Sequence, residues 1–125
     1  KKLPAFLLYD ERGSALFEEI TRLPEYYLTR AERAIFDTEA ARITSSARAL
    51  ATRPLQVLEL GAGTATKSQI LLHAIAERQG RTLYLPADLS HDPLMEAALR
   101  LSGEEPLLTV RPLLARHEEA LSSVR

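Results

Sequence analysis

The stretch V-L-E-L-G-A-G-T-A-T-K, residues 57–67, constrains this chain more than any other. An apolar strand runs into two glycines and then into a helix-forming segment. Gly61 and Gly63 let the backbone turn tightly and approach a ligand that side chains would exclude. In parallel α/β folds, a turn at a strand's carboxyl end and a helix's amino end is where cofactors bind. On its own it suits a phosphate, a dinucleotide or a cofactor without phosphate, and it also serves as a plain strand–helix junction.

The rest of the chain supplies the matching frame. Residues 1–12 have no clean period and read as an extended or irregular lead-in. Ser14 offers an N-cap, and Leu16, Phe17, Ile20 and Leu23 fall on one helical face before Pro24. Thr29 and Glu32 fit a capping box for a second helix running to about residue 51, with Ile35, Ile43, Ala47 and Leu50 facing inward. Pro54 resets the pattern, and L-Q-V-L-E-L (55–60) is a strand. A helix follows over about 65–79, carrying Ile70, Leu71, Ala74 and Ile75, and Gly80 ends it in a left-handed conformation. A second strand spans 81–88 and ends in Asp88. Asp92 and Pro93 then open another helix as N-cap and first residue. A third strand covers 107–111.

This α-β-α-β-α-β order predicts a parallel sheet covered by helices. The sheet is incomplete. In a doubly wound fold the first strand is paired on both sides, and here nothing in the sequence remains to cover its far edge. Such an edge invites self-association, so the chain reads as the front portion of a larger protein. Residues 1–53 form an N-terminal helical segment and residues 54–125 the first half of the sheet domain.

Composition narrows the partners. The formal charge is −1, from 16 basic and 17 acidic side chains spread along the chain, so no nucleic-acid or anionic-membrane partner is implied. The absence of cysteine removes disulfides, thiolate metal sites and a cysteine nucleophile. No apolar run approaches the roughly 18 residues of a transmembrane span, and the start K-K-L-P lacks a signal-peptide core. The expected location is cytoplasmic.

Chemistry then divides the candidates for the turn. A dinucleotide fingerprint and a Walker loop each require a glycine where Thr66 stands, although Lys67-Ser68 suits the latter. S-adenosylmethionine binds the same type of turn through an amino-acid end carrying a carboxylate and an ammonium. The helix amino end and Lys67 could both face that carboxylate. Asp88, 27 positions after Gly61 and at the tip of the neighbouring strand, stands where such folds place an acid against the ribose hydroxyls. Glu59 either braces the turn or merely ends its strand. His73, His91 and His117 lack a second ligand at metal spacing and read as structural or solvated. No metal is expected.

Three segments carry a family resemblance: T-R-L-P-E-Y-Y-L-T-R-A-E (21–32), E-L-G-A-G-T-A-T-K (59–67) and P-A-D-L-S (86–90). Together they resemble the histidine N-alpha-methyltransferases of ergothioneine biosynthesis, over nearly the whole chain. The resemblance implies a Rossmann-like class I fold, S-adenosylmethionine as methyl donor, and trimethylation of L-histidine to hercynine. It puts Gly61, Lys67 and Asp88, with Gly63 in the same turn, on cofactor contacts. It puts Tyr26 and Tyr9 on the histidine pocket and leaves Tyr27 to packing. One departure stands out. The family usually reads G-D-F or G-D-Y after the third strand, its Asp meeting the adenine end, whereas here residues 115–117 read A-R-H. Arg116 thus replaces an acceptor with a cation. A divergent, non-catalytic nucleoside-binding or interaction domain is the alternative reading, and a dinucleotide-dependent oxidoreductase fragment a distant third.

Overall fold

The computed structural model describes residues 11–124. The elements in chain order are α1 (Glu11–Thr21), α2 (Leu28–Leu50), β1 (Gln56–Leu60), α3 (Ser68–Gln79), β2 (Thr82–Asp88), α4 (His91–Glu104), β3 (Leu108–Val110), β4 (Leu113–Leu114) and α5 (His117–Ser123). The strands are parallel in the order β1-β2-β3, and β4 continues beside β2 after Arg111 and Pro112. The expected α/β alternation and parallel sheet are therefore present, in a Rossmann-like arrangement. β2 is the centre of the sheet, and β1 has no strand on its outer edge among the described residues.

Register fixes which side chains meet. Gln56 pairs with Leu83, Val57 with Tyr84, and Tyr84 with Val110. Because strand side chains alternate between faces, Val57, Tyr84 and Val110 share one face. There they pack with Leu72 and Ala76 of α3, Ala97 and Leu101 of α4, and Ala65 and Leu108. Leu72, Tyr84 and Leu101 are wholly buried, and each such leucine contributes about 1.5–3 kcal/mol relative to exposure. α2 lies over α3. The other face carries an open groove of ≈ 430 Å³ between Arg53, Arg81 and Arg111 at the strands' amino ends. Its lining from β1 and β2 lies at the end of the sheet opposite the glycine turn.

Several boundaries and faces differ from the sequence reading. α1 has begun by Glu11, so Ser14 is not its N-cap; its hydroxyl instead meets that of Ser90 at 2.7 Å. α2 starts at Leu28 with Tyr27 at the cap and no side-chain cap bond, so the Thr29–Glu32 capping box does not form. On α2 the buried residues are Ala40 and Thr44, whereas Ile35, Ala47 and Leu50 are exposed. At 100° per residue Ile35 lies about 140° round the helix from Ala40. Ala47 and Leu50 belong to an overhang, since α2 is about 34 Å long and α3 about 18 Å. Small residues meet α3 because they permit close approach. Within α3 the innermost side chains are Leu72, Ile75 and Ala76, while Ile70, Leu71 and Ala74 are half-buried. Gly80 has φ 82° and ψ −137°, outside the left-handed helical well in a region that favours glycine. α4 is capped by Ser90 rather than Asp92, and Pro93 sits in the first turn, where its missing N–H costs nothing.

No helix among the described residues is long and apolar enough to cross a membrane. Core placement is testable on one helix. Leu101→Ala should destabilise the protein by about 2–5 kcal/mol. Leu99→Ala on the exposed face should stay within about 0.5 kcal/mol, both read from urea unfolding.

Candidate functional site

Two backbone bonds bind the end of β1 to the end of β2. Gly61 N–H and Ala62 N–H both donate to the Ala87 carbonyl, at 2.8 and 3.1 Å. The chain then turns through Gly61 (φ 74°), Gly63 (φ 50°) and Ala65 (φ 52°) before α3 begins. The expected helix start at about 65 is thus displaced to Ser68, because Ala65 sits in a left-handed conformation. A non-glycine residue there carries strain of about 1–2 kcal/mol. Ala65 is held by burial in the core and by its N–H bond to the Ala62 carbonyl at 2.8 Å. A Cβ on Gly63 would meet nothing within 4 Å, so that glycine opens on empty space.

Asp88 is aimed at this turn. One carboxylate oxygen accepts the Gly63 N–H at 2.8 Å, and the other accepts the Ser90 N–H at 2.9 Å. The same half-buried acid therefore holds the glycine turn and the β2–α4 link. An ionised carboxylate has about four acceptor positions, so two remain.

Glu59 answers its open question by bracing the turn from below. It accepts hydrogen bonds from the Ser68 hydroxyl and the Tyr84 hydroxyl. Burial, and then the charge and hydrogen bond of Glu59, push the Tyr84 phenol far above its ordinary pKa, so it stays a donor. The Ser68 hydroxyl, which a Walker loop would give to a metal ion, is committed to Glu59. Arg100 of α4 supports the other side, donating to the Thr64 carbonyl at 3.0 Å while also reaching Gln69 and Glu104. Sequence reading missed Arg100; an arginine spaced on a helix gives no sign of the loop it will reach.

Lys67 stands where the turn enters α3, and its ammonium pairs with Glu32 of α2. Tyr26 is half-buried, its ring edge-on to Phe17 at 6.0 Å between centroids. Tyr27, expected to pack, is 64% exposed. Packing is therefore not the role of Tyr27, which lies at the cap of α2 and points outward. Tyr9 lies outside the described residues.

The A-R-H segment falls beside Asp88. Leu114 pairs with Asp88, Ala115 N–H donates to the Asp88 carbonyl at 3.1 Å, and Arg116 caps α5. The Glu119 carboxylate accepts the Arg116 N–H at 3.0 Å. His117, read from the sequence only as structural or solvated, comes near the turn, its Nε2 3.8 Å from where a Cβ on Gly61 would stand. Only strand pairing between β4 and β2 puts it there. Among the described residues no three metal-ligating side chains cluster. His73 is exposed and its pKa is raised, first by its hydrogen bond to Glu105, with Glu77 adding to the effect.

The structure thus unites Gly61, Gly63 and Asp88 at the carboxyl ends of parallel strands, with Lys67 at the turn's far end. This is the layout of a Rossmann-like fold of the methyltransferase type. The family model for histidine-specific, SAM-dependent methyltransferases matches residues 1–125. The chain is 36% identical over 124 residues to a histidine N-alpha-methyltransferase of Mycobacterium tuberculosis, covering 99% of this chain and 37% of that one. It is 40% identical over 95 residues to ergothioneine biosynthesis protein 1 of Neurospora crassa, covering 75% of this chain and 10% of the relative. An N-methyltransferase of Aspergillus flavus, imqF, is 30% identical over 125 residues, 98% of this chain and 33% of that one. The chain belongs to the histidine-specific methyltransferase family. It spans about a third of the length of the M. tuberculosis and A. flavus relatives.

The double role of Asp88 has a ligand-free consequence. Asp88→Ala leaves the Gly63 and Ser90 amides without their acceptor and should destabilise the protein by about 1–3 kcal/mol. Thermal unfolding without any ligand measures it.

Proposed function

We propose that this chain is the methyl-donor half of an S-adenosylmethionine-dependent N-methyltransferase that acts on the alpha-amino group of L-histidine and yields hercynine. One observation carries the reading: the Asp88 carboxylate is bonded to the Gly61–Gly63 turn and keeps acceptor positions to spare. The residues suit the donor. Open space at Gly63 accommodates a ligand against the backbone, Asp88 has lone pairs for ribose hydroxyls, and the Lys67 ammonium can donate to a carboxylate. The names of the M. tuberculosis and N. crassa relatives support histidine and ergothioneine chemistry. In this reading residues 1–53 are the substrate-side helical segment and residues 54–125 the first part of the cofactor domain.

When bound, S-adenosylmethionine supplies a methyl carbon activated by a sulfonium. The protein's part is chiefly positioning, worth up to roughly 7–11 kcal/mol at ideal alignment. Gly61 and Gly63 admit the amino-acid end, Lys67 faces its carboxylate, and Asp88 holds the sugar. Tyr26 and Tyr9 orient the acceptor through their hydroxyls. The acceptor amine must arrive unprotonated, and an amine that loses its proton to water needs no dedicated base. The small-molecule acceptor is thus the partner, with neither nucleic acid nor membrane involved.

Calorimetry with S-adenosylhomocysteine tests the donor site. The expected result is binding that Asp88→Asn weakens at least about tenfold, the scale of lost hydrogen bonds to a charged group, with no preference for NAD. Asn keeps an oxygen for the Gly63 amide but sets its NH2 against the Ser90 amide. Folding of the variant is therefore checked by circular dichroism before the loss is read as that of the charged acceptor. A folded protein with no affinity for this ligand would favour the non-catalytic reading. For the acceptor side, Tyr26→Phe should raise KM for histidine severalfold and leave S-adenosylhomocysteine affinity unchanged, measured by methyl transfer and calorimetry.

A further inference from the structure

Glu32 lies in the T-R-A-E segment, where the sequence suggests a helix cap. The structure gives it different work. α2 begins at Leu28, so Glu32 is past the cap and its side chain leaves the helix. Its carboxylate reaches 35 positions along the chain to the Lys67 ammonium. Lys67 is the N-cap residue of α3, immediately after the glycine turn. The pair therefore joins the helix that follows Tyr26 to the end of the turn.

We propose that Glu32 is a positioning residue for the methyl donor's amino-acid end, acting through Lys67. This rests on the reading of the turn as the methyl-donor site. A lysine side chain carries about 2 kcal/mol of rotamer entropy, and its ammonium is a compact charge on a flexible stem. Fixing that stem before the ligand arrives lowers the ordering cost of binding. The ammonium has three donors, so the bond to Glu32 leaves others for a ligand carboxylate. Access is open, with 39% of the Lys67 side chain and 47% of the Glu32 side chain exposed. As a purely structural contact such an exposed pair contributes little, about 0–1 kcal/mol. The same bond ties the donor cation to the segment that carries Tyr26, linking the geometry of the two sites.

Two ligands separate a positioning role from a structural one. S-adenosylhomocysteine has the amino-acid end, and methylthioadenosine lacks it. Calorimetry on the protein should show Glu32→Gln weakening S-adenosylhomocysteine about three- to fivefold, the scale of an exposed ion pair, with methylthioadenosine unchanged. In a Lys67→Ala background the Glu32 substitution should have no further effect on either ligand. Equal losses for both ligands would make Glu32 a structural contact and overturn the proposal. So would unchanged or tighter S-adenosylhomocysteine binding, which would mean that Glu32 is idle or competes for Lys67. Should Glu32→Gln fail to fold by circular dichroism, Glu32→Asp, which keeps the charge on a shorter stem, is read by the same ratio. A parent protein that binds neither ligand overturns the donor-site reading itself, and the role of Glu32 with it. A parent that binds methylthioadenosine as tightly as S-adenosylhomocysteine overturns only the role of Lys67 and Glu32.

Discussion

The carboxylate of Asp88 is the pin on which this structure turns. Backbone that passes through three positive-φ residues has few neighbours of its own to bond, and its amides must find acceptors elsewhere. The Ala87 carbonyl and the Asp88 side chain, adjacent at the tip of β2, provide them. Without that strand the glycine segment would have no reason to hold one shape. The parallel pairing of β1 with β2 is thus the condition for a site, as well as for a sheet.

Around that pin the supports divide by depth. Beneath the turn, Glu59 gathers the hydroxyls of Ser68 and Tyr84, anchoring the start of α3 to the central strand. A half-buried carboxylate is tolerable there because both its oxygens are satisfied. Above, Arg100 takes the Thr64 carbonyl and ties the turn to α4. Ala65 stays in a conformation that alanine disfavours because it is buried in the same core as Leu72 and Tyr84. The turn is thus braced by Glu59 and Arg100, while Lys67 at its end stays partly exposed.

The departure from the family pattern lies close by. Arg116 and His117 follow the strand that pairs with Asp88, in the segment where the sequence resemblance leads one to expect an acid and an aromatic residue. Arg116 opens α5, with its backbone N–H held by Glu119, and His117 turns its ring toward Gly61. A cation and an imidazole therefore stand close to the tip of β2 and the glycine turn.

The sequence alone determined the alternation of helices and strands, the glycine turn and the acid at the tip of β2. Each follows from local rules: hydrophobic period, the conformational freedom of glycine, and the place where a strand stops. Three things waited for the tertiary structure. Helix faces were misjudged on α2 because which side is inward depends on where α3 lies and how far it reaches. Small residues won that contact over Ile35, and Leu50 lies beyond it. The destination of Glu32 was misjudged because a cap and a distant lysine compete for the same carboxylate, and packing of α2 on α3 decided between them. Arg100 and His117 joined the site only through strand and helix packing, since residues tens of positions apart acquire a common neighbour only when the chain has closed upon itself.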